Sequence, residues 1–135
     1  MQQGLSDLVR RRAANRCEYC LLPERASELR HVVDHVIALQ HEGDDQEDNL
    51  ALACVRCNRH KGPNVSGVEP ATRTVTRLFH PRRDRWDDHF EYIDAVLVGR
   101  TSIGVVTAQV LAINLPVRIA VRRSLMDEGF RFRPG

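Results

Sequence analysis

The four cysteines carry the strongest chemical signal in these 135 residues. They form two Cys-x-x-Cys pairs, Cys17/Cys20 and Cys54/Cys57, with none left over. A two-residue gap lets both thiolates of one knuckle reach a single ion. Two knuckles complete a tetrahedral Zn²⁺ site with no open position, which is the structural kind. Disulfides are the competing reading. They fit poorly here, because residues 1–16 lack the apolar stretch of a secretory leader and the expected location is cytoplasmic, where thiols stay reduced. No run of roughly 18 apolar residues occurs, so no membrane association is expected. The interval between the knuckles exceeds that of a minimal zinc ribbon, so a sizeable element is looped out. That element holds His31, Asp34, His35 and Asn49, and the second knuckle is followed at once by Asn58, Arg59, His60 and Lys61.

These side chains need elements to position them. Leu5, Leu8, Val9 and Ala13 recur at helical spacing and predict an amphipathic helix over 5–16. A tight turn follows over 17–23. The β-branched residues Val32, Val33, Val36 and Ile37 predict a strand within 29–39. Residues 40–48 are polar and acidic and read as a surface loop. A second strand returns over 49–53, then a short helix over 54–61, stopped by Gly62-Pro63. Beyond it, 62–71 reads as irregular. Leu78-Phe79 suggests a short strand, Tyr92–Val98 a longer one, and 102–113 and 116–126 two helices, with Pro116 suited to a first turn. The tail beyond Glu128 is expected to fray.

Taken in order, the segment resembles the HNH endonuclease family. The matching features are the Asp34-His35 pair, the Asn49-Leu50 step and the run Cys54-x-x-Cys57-Asn58-x-x-Lys61-Gly62, all framed by the two knuckles. The resemblance implies an α+β fold: a small ββα-metal core stapled by a four-cysteine zinc site, with an N-terminal helix and a C-terminal strand plus helices. Residues 1–67 would form the nuclease core and 68–135 an extension packed on it, one compact domain overall. It also implies metal-dependent hydrolysis of phosphodiester bonds in nucleic acid, DNA before RNA. His35 matches the general base, suited to taking a proton from water near neutral pH. Asp34 and Asn58 match ligands of a second ion, and hard oxygen donors suit Mg²⁺ or Mn²⁺. Asn49 would bond backbone across the loop and keep His35 in register. Arg59, His60 and Lys61 are candidate phosphate contacts. His60 lies about 200° around a helix from Asn58, so the two are not expected to face one ion. Adjacent strand residues point to opposite faces. Asp34 and His35 can therefore share a site only if the strand ends or bends near Val36.

Charge adds less. The net charge is +2. Residues 1–67 hold 9 basic and 10 acidic side chains, and residues 68–135 hold 11 and 8, so the excess of +3 lies in the second half. All basic residues except Lys61 are arginine, which suits bidentate phosphate contact. Arg82, Arg83 and Arg85 could track a phosphate backbone, although Asp84, Asp87 and Asp88 among them favour self-pairing. Trp86 and Phe90 read as core, and His31, His41, His80 and His89 as residues outside the chemistry, His31 being exposed. The acidic loop carrying Glu42, Asp44, Asp45, Glu47 and Asp48 lacks calcium-loop spacing and is expected to point away from phosphates. Val105, Val106, Val110, Leu111, Val117, Ile119, Val121 and Leu125 read as core or as the face of a homodimer. A separate partner that delivers substrate is the other arrangement a domain this small would suit. The rival function is a non-catalytic zinc module that binds nucleic acid or protein. It would need the cysteines but not the Asp34, His35, Asn49 and Asn58 set.

Overall fold

In the computed structural model, which describes residues 2–134, the first helix α1 covers Gln3–Arg12. It stops one turn short of the expected end because Ala14 and Asn15 take positive φ, which reverses the chain before the first knuckle. Its apolar face presents Val9, with Ala13 beyond its end, to Leu50 and Leu52.

Two strands and a helix follow. Strand β1 is Val32–His35 and β2 is Leu50–Ala53, paired antiparallel with Asp34 opposite Ala51 and His35 opposite Leu50. Every residue of β2 is buried. One face lies on α1, while Ala53 joins the main core with Cys17, Tyr19, Phe79 and Trp86. The expected strand over 29–39 is thus only four residues long. It ends at His35 and the chain bends over 36–37, the break that a shared Asp34/His35 site requires. Helix α2 is Val55–Lys61, with Cys54 as its N-cap: the Cys54 sulfur accepts the Cys57 N–H.

The second half departs further from expectation. The segment 62–71 is not wholly irregular, since β3 (Ser66–Val68) pairs antiparallel with β4 (Val75–Arg77). Leu78 and Phe79 lie just beyond β4 as buried, non-strand residues. A single helical turn α3 (Trp86–His89) leads into β5 (Phe90–Ile93) and β6 (Val96–Gly99). The predicted strand over 92–98 is therefore a hairpin that turns at Asp94, φ 56°, and Ala95. Helix α4 (Ser102–Val110) packs on β6 through glycine. A Cβ on Gly104 would stand 2.0 Å from the His89 carbonyl oxygen, and one on Gly99 2.2 Å from the Val105 nitrogen.

Helix α5 (Pro116–Asp127) starts on its proline as expected, but its polarity is inverted. Its buried positions are Arg118, Arg122 and Leu125, while Val117 is 50 % exposed and Val121 is also exposed. Of the expected core residues, Val106, Leu111 and Leu125 are buried. Arg122 is held at its tip by the carbonyls of Ala95 and Ile113 and the side-chain oxygen of Asn114. Nor does the tail fray. Phe132 packs on the core beside Tyr92, and Arg16 donates to the carbonyls of Arg131 and Arg133.

Candidate active site and metal centre

The two knuckles meet. The four cysteine sulfurs lie within 4.8 Å of one another and all four residues are buried. Thiolates held at about 2.3 Å around a tetrahedral Zn²⁺ stand about 3.8 Å apart, and Cys20 Sγ is 3.8 Å from Cys54 Sγ. The residues fit the ion. Burial pushes the Cys17 and Cys57 thiols up. Bonds from the neighbouring sulfurs pull Cys20 well down. Arg118 reaches the cluster from α5, its Nη2 2.9 Å from Cys57 Sγ, and Nη1 donates to the Leu111 and Ala112 carbonyls. Burial lowers the Arg118 pKa, but the thiolates of Cys57, Cys20 and Cys54 outweigh it and the net shift is upward. This buried guanidinium offsets the negative charge that four thiolates bring to one ion. This role was not legible beforehand, because a lone arginine in an amphipathic helix reads as surface.

The residues between the first two cysteines tie the cluster to the hairpin. Glu18 accepts from the Leu52 N–H at 2.8 Å and also pairs with Arg82. Tyr19 is fully buried, and its hydroxyl donates to Asp34 Oδ2 at 2.9 Å. Trp86 Nε1 donates to the Tyr19 carbonyl at 2.9 Å, and the Tyr92 hydroxyl to that of Cys20 at 2.6 Å. A buried tyrosine needs a partner for its hydroxyl. That rule would have flagged Tyr19, had its burial been legible.

Asp34 is 6 % exposed. Besides Tyr19 it pairs with Lys61, whose Nζ lies 3.2 Å from Oδ2 and 3.5 Å from Oδ1. Burial pushes the Asp34 carboxyl up from its ordinary range, against the pull of Lys61 and the Tyr19 hydroxyl. Lys61, expected as a phosphate contact, is itself 1 % exposed. It spends its ammonium on Asp34 and on the His35 carbonyl at 3.2 Å, so no face of it is left for a ligand.

Asn49 sits where the loop returns to β2. Its Oδ1 accepts from the Ile37 N–H at 2.9 Å, and its Nδ2 donates to the carbonyls of Ile37 at 3.0 Å and Asp44 at 2.8 Å. These bonds close the loop directly after His35. Asp34, His35 and Asn58 all line one open cleft of about 390 Å³, together with Val33, Ala38 and Leu39. The strand end and the α2 helix thus bring three separate expectations to one place.

The acidic loop does not point away as expected, for Asp45 Oδ1 lies 2.7 Å from His35 Nε2. His31 is buried, not exposed. At 1 % exposure its Nε2 contacts the Leu22 carbonyl. Among the arginines, Arg82 is consumed by Glu18, and burial together with the nearby Arg12 lowers its pKa to about 10. Arg83 and Arg85 remain exposed, as do Arg59 and His60 on α2. His80 is buried and its ring accepts from the Arg82 N–H, while His89 bonds Thr101.

No curated protein and no solved structure matches the chain. The family description that matches residues 17–64 is HNH endonuclease. The matched span runs from the first knuckle through the hairpin to the end of α2, and holds both the thiolate cluster and the cleft. The motif order, the hairpin-and-helix fold and the thiolate geometry of residues 17–64 agree with that family description.

Proposed function

We propose that the protein is a metal-dependent endonuclease that hydrolyses phosphodiester bonds of DNA. His35 is its general base, and Asp34 and Asn58 hold a divalent ion, Mg²⁺ or Mn²⁺. The observation that carries this reading is the shared open cleft lined by Asp34, His35 and Asn58 at the end of β1 and along α2. A carboxylate and an amide oxygen are hard donors, and two protein ligands leave room for phosphate oxygens and water. Such an ion supplies charge neutralisation at the phosphoryl group and the departing oxygen.

The chain's own residues do the rest. His35 accepts the proton of the attacking water. Tyr19 and Lys61 fix the Asp34 carboxylate, and Lys61 also holds the His35 backbone. Asn49 locks the bend that turns His35 toward the cleft. Arg59, His60, Arg83 and Arg85 are exposed and available for phosphate contacts that add affinity without sequence readout. The products are a 5′-phosphate and a 3′-hydroxyl.

The test is plasmid nicking by zinc-loaded protein with Mg²⁺, Mn²⁺ or EDTA, wild type beside His35→Ala. Metal-dependent nicking that falls about 10²–10⁴-fold in the variant is expected. Equal cutting by both proteins would remove His35 from the chemistry. No cutting by folded wild type would favour a non-catalytic zinc module.

A further inference from the structure

We infer that Asp45 is a positioning residue for His35, forming a carboxylate–imidazole pair that fixes which ring nitrogen receives the proton of the attacking water. The inference rests on the reading of His35 as general base. Its geometric basis is the 2.7 Å contact between Asp45 Oδ1 and His35 Nε2.

That contact is built by the loop. On one side of Asp45, the Asp44 carbonyl is held by the Asn49 side chain at 2.8 Å, and Asp44 Oδ1 accepts the Gln46 N–H at 3.1 Å. On the other, the Glu47 carbonyl accepts from Arg12 at 2.7 Å. Gly43 lies against the bend after His35. Its N–H bonds the Ala38 carbonyl at 3.0 Å, and a Cβ there would stand 1.8 Å from the Ile37 oxygen. The backbone before Asp45 is therefore tethered to the segment that carries His35, and the backbone after it to α1. Asn49, expected to keep His35 in register by bonding backbone across the loop, also holds the backbone carbonyl next to the carboxylate that meets the ring.

The Asp45 side chain is 67 % exposed, so the pair contributes little to stability. Its consequence is orientation. A carboxylate accepts the N–H of one ring nitrogen and leaves the lone pair on the other. With Nε2–H donated to Asp45, Nδ1 is the acceptor. In the attack, the water oxygen bonds to phosphorus and its proton passes to Nδ1. The bond from phosphorus to the 3′ oxygen breaks, and that oxygen takes a proton from solvent. The Nε2 proton stays on the ring, facing Asp45.

The experiment compares wild type, Asp45→Ala, Asp45→Glu, His35→Ala and the double alanine variant, each verified for zinc content and thermal unfolding. Kinetics use a short duplex with Mn²⁺, and ¹⁵N spectra of the histidine rings are recorded without Mn²⁺. Asp45→Ala is expected to lower kcat about 10–100-fold with KM little changed. Asp45→Glu should recover part of the loss, and the double variant should be no slower than His35→Ala alone. The His35 ring should be protonated at Nε2 in wild type, and its Nε2 resonance should shift in Asp45→Ala. Unchanged kcat, a loss that adds fully to that of His35→Ala, or a ring protonated at Nδ1 overturns the inference. If wild type cuts nothing, the nuclease reading fails and the nitrogen spectra alone decide whether the pair exists.

Discussion

The thiolate cluster and the cleft stand on the same hairpin and the same helix, yet one is sealed and the other open. Helix α2 begins in the cluster with Cys54 and Cys57 and ends beside the cleft with Asn58 and Lys61. In the cluster every ligand is buried and the compensating charge, Arg118, is buried with it. In the cleft the Asp34 carboxylate is tied down from behind by Tyr19 and Lys61, while His35 and Asn58 face the opening. In the proposed reading, the closed site supplies rigidity and the open one reactivity. Tyr19 links them, since it lies between two zinc ligands and bonds Asp34.

If this division holds, damage to the cluster should destroy both sites, and damage to the cleft only one. Cys57→Ser should have the largest effect. A structural zinc site contributes on the order of 10 kcal/mol, comparable with the whole stability of a small domain. Loss of zinc by elemental analysis and loss of cooperative unfolding are expected together; a folded, zinc-free variant would break the comparison. His35→Ala should leave zinc and unfolding as in wild type while cleavage falls about 10²–10⁴-fold.

Lys61→Met tests the back wall of the cleft. It strands the buried Asp34 carboxylate with only the Tyr19 hydroxyl, at a cost of about 3–5 kcal/mol. Denaturant unfolding measures it, and adding Asp34→Asn should restore part of the loss. A Lys61→Met protein as stable as wild type would mean that the pair contributes nothing. Arg118→Met should weaken zinc about 10–100-fold in a chelator competition and leave zinc-saturated cleavage unchanged.

The smallest effect tests an ion pair that belongs to neither site, on a segment that borders Val36, Ile37 and Lys61. Asp84 accepts from Arg77 at 2.6 and 2.9 Å and from the His80 N–H at 2.8 Å, and the Arg77 bonds hold its carboxyl below the usual range. A depressed carboxyl contributes stability that is present above its unfolded pKa and is lost as pH falls through the lower, folded value. Asp84→Asn should therefore cost about 1 kcal/mol at pH 7 and remove part of the acid sensitivity below about pH 4. An identical acid limb in the variant would assign that sensitivity elsewhere.

The zinc knuckles and the ββα order were legible from local spacing and patterning, whereas the grouping of Asp34, His35 and Asn58 was legible only through the resemblance to the HNH family. Two cysteines with two residues between them can bring both thiolates to one ion. A strand carrying adjacent polar groups must end there if both are to face one cleft, and the chain does bend at Val36. The β3–β4 hairpin and the turn at Asp94 escaped, since three- and four-residue strands leave too short an alternation to read.

What only the tertiary structure decided is where charge goes. Lys61, Arg118 and Arg122 are buried and Val117 is exposed, against every expectation from polarity. The reason is that a buried cation is tolerated only where a specific anion or set of carbonyls waits for it. Asp34 lies 27 residues from Lys61 and Cys57 lies 61 from Arg118, and the Ala95 and Ile113 carbonyls that hold Arg122 come from the β5–β6 turn and the connection before α5. Asp45 follows the same rule. The sequence determined that a histidine and an acidic loop would lie near each other in the chain, and the closure by Asn49 and Gly43 decided which carboxylate meets the ring.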